Sequence, residues 1–206
     1  MKIDIQQYSI LQEIYDYFNF SFFDNKLPEI VFTIDYRKKQ TLGYFHFKKL
    51  KQGDKYISII SLNPDDFDRD NINIISTIVH EMCHAWRAYV PEKKPSSNGY
   101  HDRLWSTKMQ SIGLIPSSTG EEGGKKTGSK MTHYIEKNGL FEQKTNEFIS
   151  AHDNIFLFSG IAQLKQKTAE NRNKIKYKCS CGEKLYSQPG LEATCKKCNS
   201  DFKSYD

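Results

Sequence analysis

The pentapeptide His80-Glu81-Met82-Cys83-His84 reads H-E-x-x-H. On a helix, a spacing of four puts both imidazoles on one side about a turn apart, where two ring nitrogens can share one Zn2+. Glu81 stands beside them without being a ligand. Zinc in such a site polarises the scissile carbonyl and activates a water molecule, whose proton the glutamate takes and then gives to the leaving amine. The chemistry this pattern implies is peptide hydrolysis, with Glu81 as catalytic residue and His80 and His84 as ligands. Chance is the competing explanation, and the strong apolar face beneath the motif speaks against it. Unligated histidines in mid-helix would gain little there.

A catalytic zinc needs a third protein ligand and one open position. His46, His101, His133, His152 and several carboxylates are the candidates. His101 follows the central helix by a loop of suitable length and opens the segment HDRLWSTKM, so the chain can fold it back over the metal; it is the choice. His46 and His133 read as strand or loop histidines with local hydrogen bonds, and Cys83 as a small buried apolar residue. Tyr100, Arg103, His133 and Tyr134 are candidates for stabilising an oxyanion, and none takes a firm role.

A second donor set lies near the C-terminus. Cys179-Ser-Cys181 and Cys195-Lys-Lys-Cys198 are separated by thirteen residues, and four thiolates in two close pairs complete a tetrahedral zinc site with no open position. Such a site is structural: it substitutes metal binding for a core too small to hold about 30 residues together. Pro189-Gly190 fits the centre of a type II turn, so the segment between the pairs reads as a ribbon hairpin. Lys178, Lys184, Lys196, Lys197 and Lys203 are available for phosphates, and Tyr177, Tyr186, Phe202 and Tyr205 for stacking on bases. The alternative is that these aromatics pack on the hairpin and the lysines are merely solvated.

The elements that position both sets follow from periodicity. Apolar residues at three- and four-residue intervals predict a helix over 5–23. Strands are expected over 29–36, 41–47 and 56–62, the last two separated by a lysine-rich KKLKQGDK turn. A helix over 72–89, capped by Asp70 or Asn71 and stopped by Pro91, carries the H-E-x-x-H motif. A second helix is expected over 101–112, a glycine-rich surface loop over 116–130, an extended stretch over 131–141, and a helix over 142–152. GEEGGKKTG within the loop lacks the spacing of a phosphate-binding P-loop.

The chain of 206 residues is 37% hydrophobic, 27% charged and 13% aromatic, the composition of a globular protein. No run of eighteen apolar residues occurs, and acids and glutamines break up the N-terminal stretch where a signal peptide needs apolar continuity. With the cysteines clustered as for metal ligation, a cytoplasmic, monomeric protein is expected, free to associate with the nucleoid and not with membranes. The net charge of +5 is uneven: residues 161–206 hold ten Lys/Arg against five Asp/Glu, leaving twenty of each elsewhere. That tail is the expected contact for DNA, single strands being favoured.

On these residues the sequence resembles the SprT-like metalloprotease family, which includes bacterial SprT proteins and eukaryotic Spartan. The resemblance rests on Asn19, Phe23, Leu27 and Pro28, Gly43-Tyr44-Phe45, HEMCH at 80–84, His101 with Trp105, and a ribbon whose first pair is C-x-C. The stretch IGLIPSSTGEEGGKKTGSKMTHYI is similar to versions in bacterial and mobile-element members. The resemblance implies a compact α+β zinc metalloprotease fold, a catalytic zinc on His80, His84 and His101, Glu81 as acid/base, and a structural zinc on Cys179, Cys181, Cys195 and Cys198. It also implies action on proteins bound or crosslinked to DNA. The family often has glycine after the third histidine; Asp102 stands there instead, suited to a partner of the ligands. The expected organisation is a metalloprotease domain over 1–160, a basic linker over 161–175 and a zinc ribbon over 176–206. The rival expectation is a non-proteolytic nucleic-acid-binding regulator with a structural H-E-x-x-H site.

Overall fold

Helix α1, Ile3–Phe23, buries Leu11, Ile14, Tyr15, Phe18 and Phe22 along one stripe, the spacing that makes one helical face apolar. It stops where Asp24 turns to φ 54° and Asn25 N–H bonds back to the Asn19 carbonyl. The Asn19 amide then clamps Leu27, accepting from its N–H at 3.2 Å and donating to its carbonyl at 3.3 Å. Tyr15 donates to the Pro28 carbonyl at 2.6 Å. Asn19, Leu27 and Pro28 thus fix the angle at which the chain leaves α1 for the sheet.

The computed structural model describes residues 2–36, 41–91, 99–152, 155–156 and 175–205. It divides into two compact units, Met1–Ala162 and Gln163–Asp206. In the first, β1 (Ile30–Ile34), β2 (Gly43–Gln52) and β3 (Lys55–Leu62) form a sheet in the order β1-β3-β2, with β1 parallel and β2 antiparallel to β3. β2 runs well past the expected end at residue 47. The KKLKQGDK segment is strand rather than turn, apart from Gly53-Asp54 at its tip. A hairpin solvated on both faces shows no apolar alternation, so its pattern resembles a loop.

A one-turn helix at Pro64–Asp66 leads into α2, Asn71–Tyr89, the central element. Ile74, Ile75, Ile78, Val79 and Met82 are almost wholly buried against α1, the sheet and α4 (Leu140–Ser150). Asp70 occupies the N-cap position but makes no side-chain cap bond; its backbone carbonyl accepts from Asn73 and Ile74. Helix α3, Arg103–Ser111, is followed by a hairpin of β4 (Leu114–Ser117) and β5 (Thr132–Ile135), then α4, Leu140–Ser150. The extended stretch expected to reach 141 ends at Ile135, and the helix starts two residues before its expected position, with Gly139 as N-cap. The mixed α+β architecture expected from the sequence is thus present.

In the second unit β6 (Ile175–Lys178) pairs with β7 (Lys184–Ser187) and β8 (Lys203–Tyr205). Gly190 takes φ 84°, as the second centre of a type II turn requires. That turn is not the tip of the hairpin, however: β6 and β7 are joined through the first cysteine pair, and the strand expected after Gly190 is a single bridge, Thr194 to Asp201. Apart from Ile175, the expected linker over 161–175 lies outside the described residues. Among the described residues no helix is long and apolar enough to cross a membrane.

Candidate metal centres

The middle of α2 carries His80 and His84 on the face that meets α3 and the loop before it. His101 is drawn in by a two-residue bridge: its N–H donates to the Gly128 carbonyl at 2.8 Å, and Gly128 N–H returns a bond at 3.1 Å. Its ring Nδ1 also bonds the Gly128 carbonyl, at 3.0 Å. The glycine-rich loop therefore has a structural task, to hold His101 from behind. Asp102 completes the placement. It caps α3 by accepting from Trp105 N–H at 2.9 Å, and it pairs with the Arg87 guanidinium at 2.7 Å. Both partners of that pair are largely buried, so it is a desolvated ion pair whose breakage would strand a charge. It ties the end of α2 to the start of α3 one residue after the third histidine.

The three rings converge. Centroid separations are 5.1 Å for His80–His84, 5.6 Å for His80–His101 and 4.7 Å for His84–His101, and one ring nitrogen from each lies within 4.8 Å of the others. Three imidazoles on one zinc place their nitrogens about 3.4 Å apart, so the donor set fits a metal after small ring rotations. Trp105, almost wholly buried, packs on all three rings at 4.4–5.2 Å.

Hydrogen bonding fixes which nitrogen of His80 is free. Ser76 Oγ–H donates to the Asn73 carbonyl at 2.7 Å, so at 2.9 Å it accepts from His133 Nε2–H. His133 Nδ1 is then the bare nitrogen and accepts from His80 Nδ1–H, 3.1 Å away. The lone pair of His80 is left on Nε2. Burial, reinforced by His84, His133 and His101, holds His80 well below its ordinary pKa. Burial, then His101, takes His84 to about 3, and burial, then Arg69, takes His133 to about 4. Burial also lowers His101, against the bond to Gly128. All four rings are neutral at pH 7, the form that binds a metal.

Glu81 is buried on the next position of the helix. The start of β2 closes over it: a Cβ on Gly43 would meet Glu81 Cγ at 3.0 Å and Thr77 Cγ2 at 2.9 Å. Gly43 in the matched Gly-Tyr-Phe segment is therefore a close-approach glycine beside the proposed acid/base. Beyond His133 lies a cleft of about 260 Å3 whose lining includes Arg69, Asn73, Ser76, Thr132 and Tyr134.

Other candidates fall elsewhere. His46 packs against the Tyr44 ring in β2, centroids 4.5 Å apart and planes tilted by 50°. His152 stacks on Phe148 and bonds Glu13 at 3.3 Å, joining α4 to α1. Cys83 is buried on the core side, and burial pushes its thiol pKa up. Tyr100 is exposed and Tyr134 lines the cleft. Sequence reasoning missed the part His133 plays, because its partner stands 53 residues earlier and only the β4–β5 register brings them together.

In the second unit Cys179, Cys181, Cys195 and Cys198 offer four sulfurs within 4.8 Å of one another. Hydrogen bonds from Ser180 and Ser200 pull the Cys198 thiol down to about 5, toward the thiolate that ligates metal, while the bond with Cys179 pushes Cys181 up to about 12. Of the two readings for the ribbon aromatics, Tyr177 follows the packing one: it is buried, and its hydroxyl donates to the Gln188 carbonyl at 3.0 Å and accepts from Leu191 N–H at 3.2 Å. Tyr186 is exposed.

Fold and donor set together define an α+β domain in which an H-E-x-x-H helix and a third histidine form a candidate metal site, with a separate four-cysteine site. The chain belongs to the SprT-like family, whose sequence profile matches residues 11–126. That span covers more than half of the chain and takes in α1 from Leu11 onward, the sheet, the H-E-x-x-H helix and His101. A comparison with curated proteins finds no match.

Proposed function

We propose that the protein is a zinc-dependent endopeptidase acting on proteins bound or crosslinked to DNA, a cytoplasmic monomer whose cysteine site holds a structural zinc. The observation that carries the reading is the convergence of His80, His84 and His101 with Glu81 beside them. Bound zinc would polarise the scissile carbonyl and activate water. Glu81, held under Gly43, takes the proton from water and delivers it to the leaving nitrogen. His133 and Gly128 keep the ligating nitrogens of His80 and His101 turned inward. In the described sheet β2 is an edge strand starting over Glu81, a template along which an extended peptide can add as a further strand.

The DNA part rests on the family membership, the basic tail and the exposed Tyr186 of the ribbon. Its test is cleavage of a denatured protein by the zinc-loaded chain, with and without single-stranded DNA. Stimulation by the oligonucleotide is expected. Cleavage indifferent to DNA would leave a peptidase of other substrates, and a chain that binds DNA but cleaves nothing would instead be a non-proteolytic regulator.

A further inference from the structure

The even balance of twenty basic and twenty acidic residues outside the tail conceals a local separation of charge. The far end of the β2–β3 hairpin, residues 47–56, holds Lys48, Lys49, Lys51 and Lys55 against Asp54 alone. It extends past the end of β1, which pairs β3 only from Ser58 onward, so the arm is two-stranded and exposed throughout. Lys55 pairs with Glu29. Lys48, Lys49 and Lys51 make no ion pair among the described residues.

The same arm exposes large rings. Phe47 is 46% and Tyr56 55% accessible, with Lys48 5.1 Å from the Phe47 ring centroid and Lys51 5.8 Å from that of Tyr56. A bulge produces this display. His46 pairs with Ile59 and Leu50 with Ile57, so Phe47, Lys48 and Lys49 together oppose Ser58. Lys48 takes φ 49°, and its N–H is held by Ser58 Oγ at 2.8 Å, itself bonded to Tyr89 Oη at 2.6 Å. The bulge is thus anchored to the last turn of α2, and bulges of this kind re-aim side chains rather than mark defects. A two-stranded ribbon with half-exposed aromatics gains little stability by itself; two such rings, Phe47 also resting on Tyr89 at 5.2 Å, with lysines beside and between them match a strand of phosphates and unpaired bases.

We propose that the bulged β2–β3 arm is a single-stranded nucleic-acid contact on the histidine-bearing unit, with Lys48, Lys49 and Lys51 on phosphates and Phe47 and Tyr56 stacking on bases. It rests on the nucleic-acid part of the proposed function but not on peptidase activity, and it is distinct from the basic tail. The test is fluorescence anisotropy of a labelled 15-nucleotide single strand with the full chain at several salt concentrations. Replacing the three lysines by alanine is expected to reduce the log–log salt slope by about 2 in magnitude. Phe47→Ala and Tyr56→Ala are each expected to weaken binding about tenfold, with Tyr56→Phe restoring it. These residues are exposed, and circular dichroism melts should show the variants folded. Unchanged affinity and slope across the arm variants would overturn the proposal, and if Lys196→Ala/Lys197→Ala alone weakened binding the tail would remain the nucleic-acid contact. Equal losses on a duplex of the same sequence would remove base stacking and overturn it too. No binding by the wild-type chain would overturn both the arm and the nucleic-acid reading, leaving peptidase activity to be judged on its own assay.

Discussion

The histidine and cysteine sites solve the same coordination problem from opposite directions. His80, His84, His101 and their support His133 come from α2, a loop and β5, over more than fifty residues of chain, and are held by a core that includes Ile75, Ile78, Val79 and Trp105. The four cysteines lie within twenty residues, between strands of three or four residues, with Tyr177 the largest buried side chain described beside them. One site is made by its core; the other has to make one. A site built by its surroundings can keep a coordination position open for chemistry, whereas one that closes a fold uses every donor.

Chelation should separate the two most sharply. With zinc removed, amides of residues 175–205 are expected to exchange at nearly the unfolded rate, because metal supplies the folding free energy of such small units. Amides of Ile75, Ile78 and Val79 should keep protection by orders of magnitude. Hydrogen exchange read by mass spectrometry checks this, and joint loss of protection in both units would break the comparison.

Acid should act on the metal-free histidine unit in a defined direction. Its buried rings have folded pKa values below the ordinary 6.5, so the unfolded chain binds more protons as pH falls. Stability is full above about pH 6.5 and declines toward about 4 and 3, where His133 and His84 titrate. Thermal melts in chelator from pH 8 to 4 should show a plateau followed by a fall; melting temperatures that rise on acidification would contradict the burial argument.

A smaller effect sharpens the account of the support. His133→Ala removes the acceptor for His80 Nδ1–H and is expected to lower zinc affinity at the histidine site about tenfold to hundredfold, leaving the cysteine site unchanged. Competition with a zinc chelator, resolved by site through Cys179→Ser/Cys195→Ser, measures it.

The donor residues of both sites were legible in the sequence because each motif is local: H-E-x-x-H on one helix, and two close cysteine pairs. His101 was legible from loop length and the resemblance. The devices that hold the ligands were less so. The Arg87–Asp102 pair and the His133–His80 contact join residues 15 and 53 positions apart, and no periodicity signals them. The β2–β3 arm reads as a turn in the sequence for the same reason that leaves it open to a ligand: neither face is buried.

The most direct test of the central claim is Glu81→Gln, measured for zinc content and for cleavage of a denatured protein in parallel. The amide cannot accept the proton of water, yet Glu81 is not a ligand, so two zinc ions per chain should remain while cleavage falls at least a hundredfold. Turnover equal to that of the unaltered chain would contradict the account.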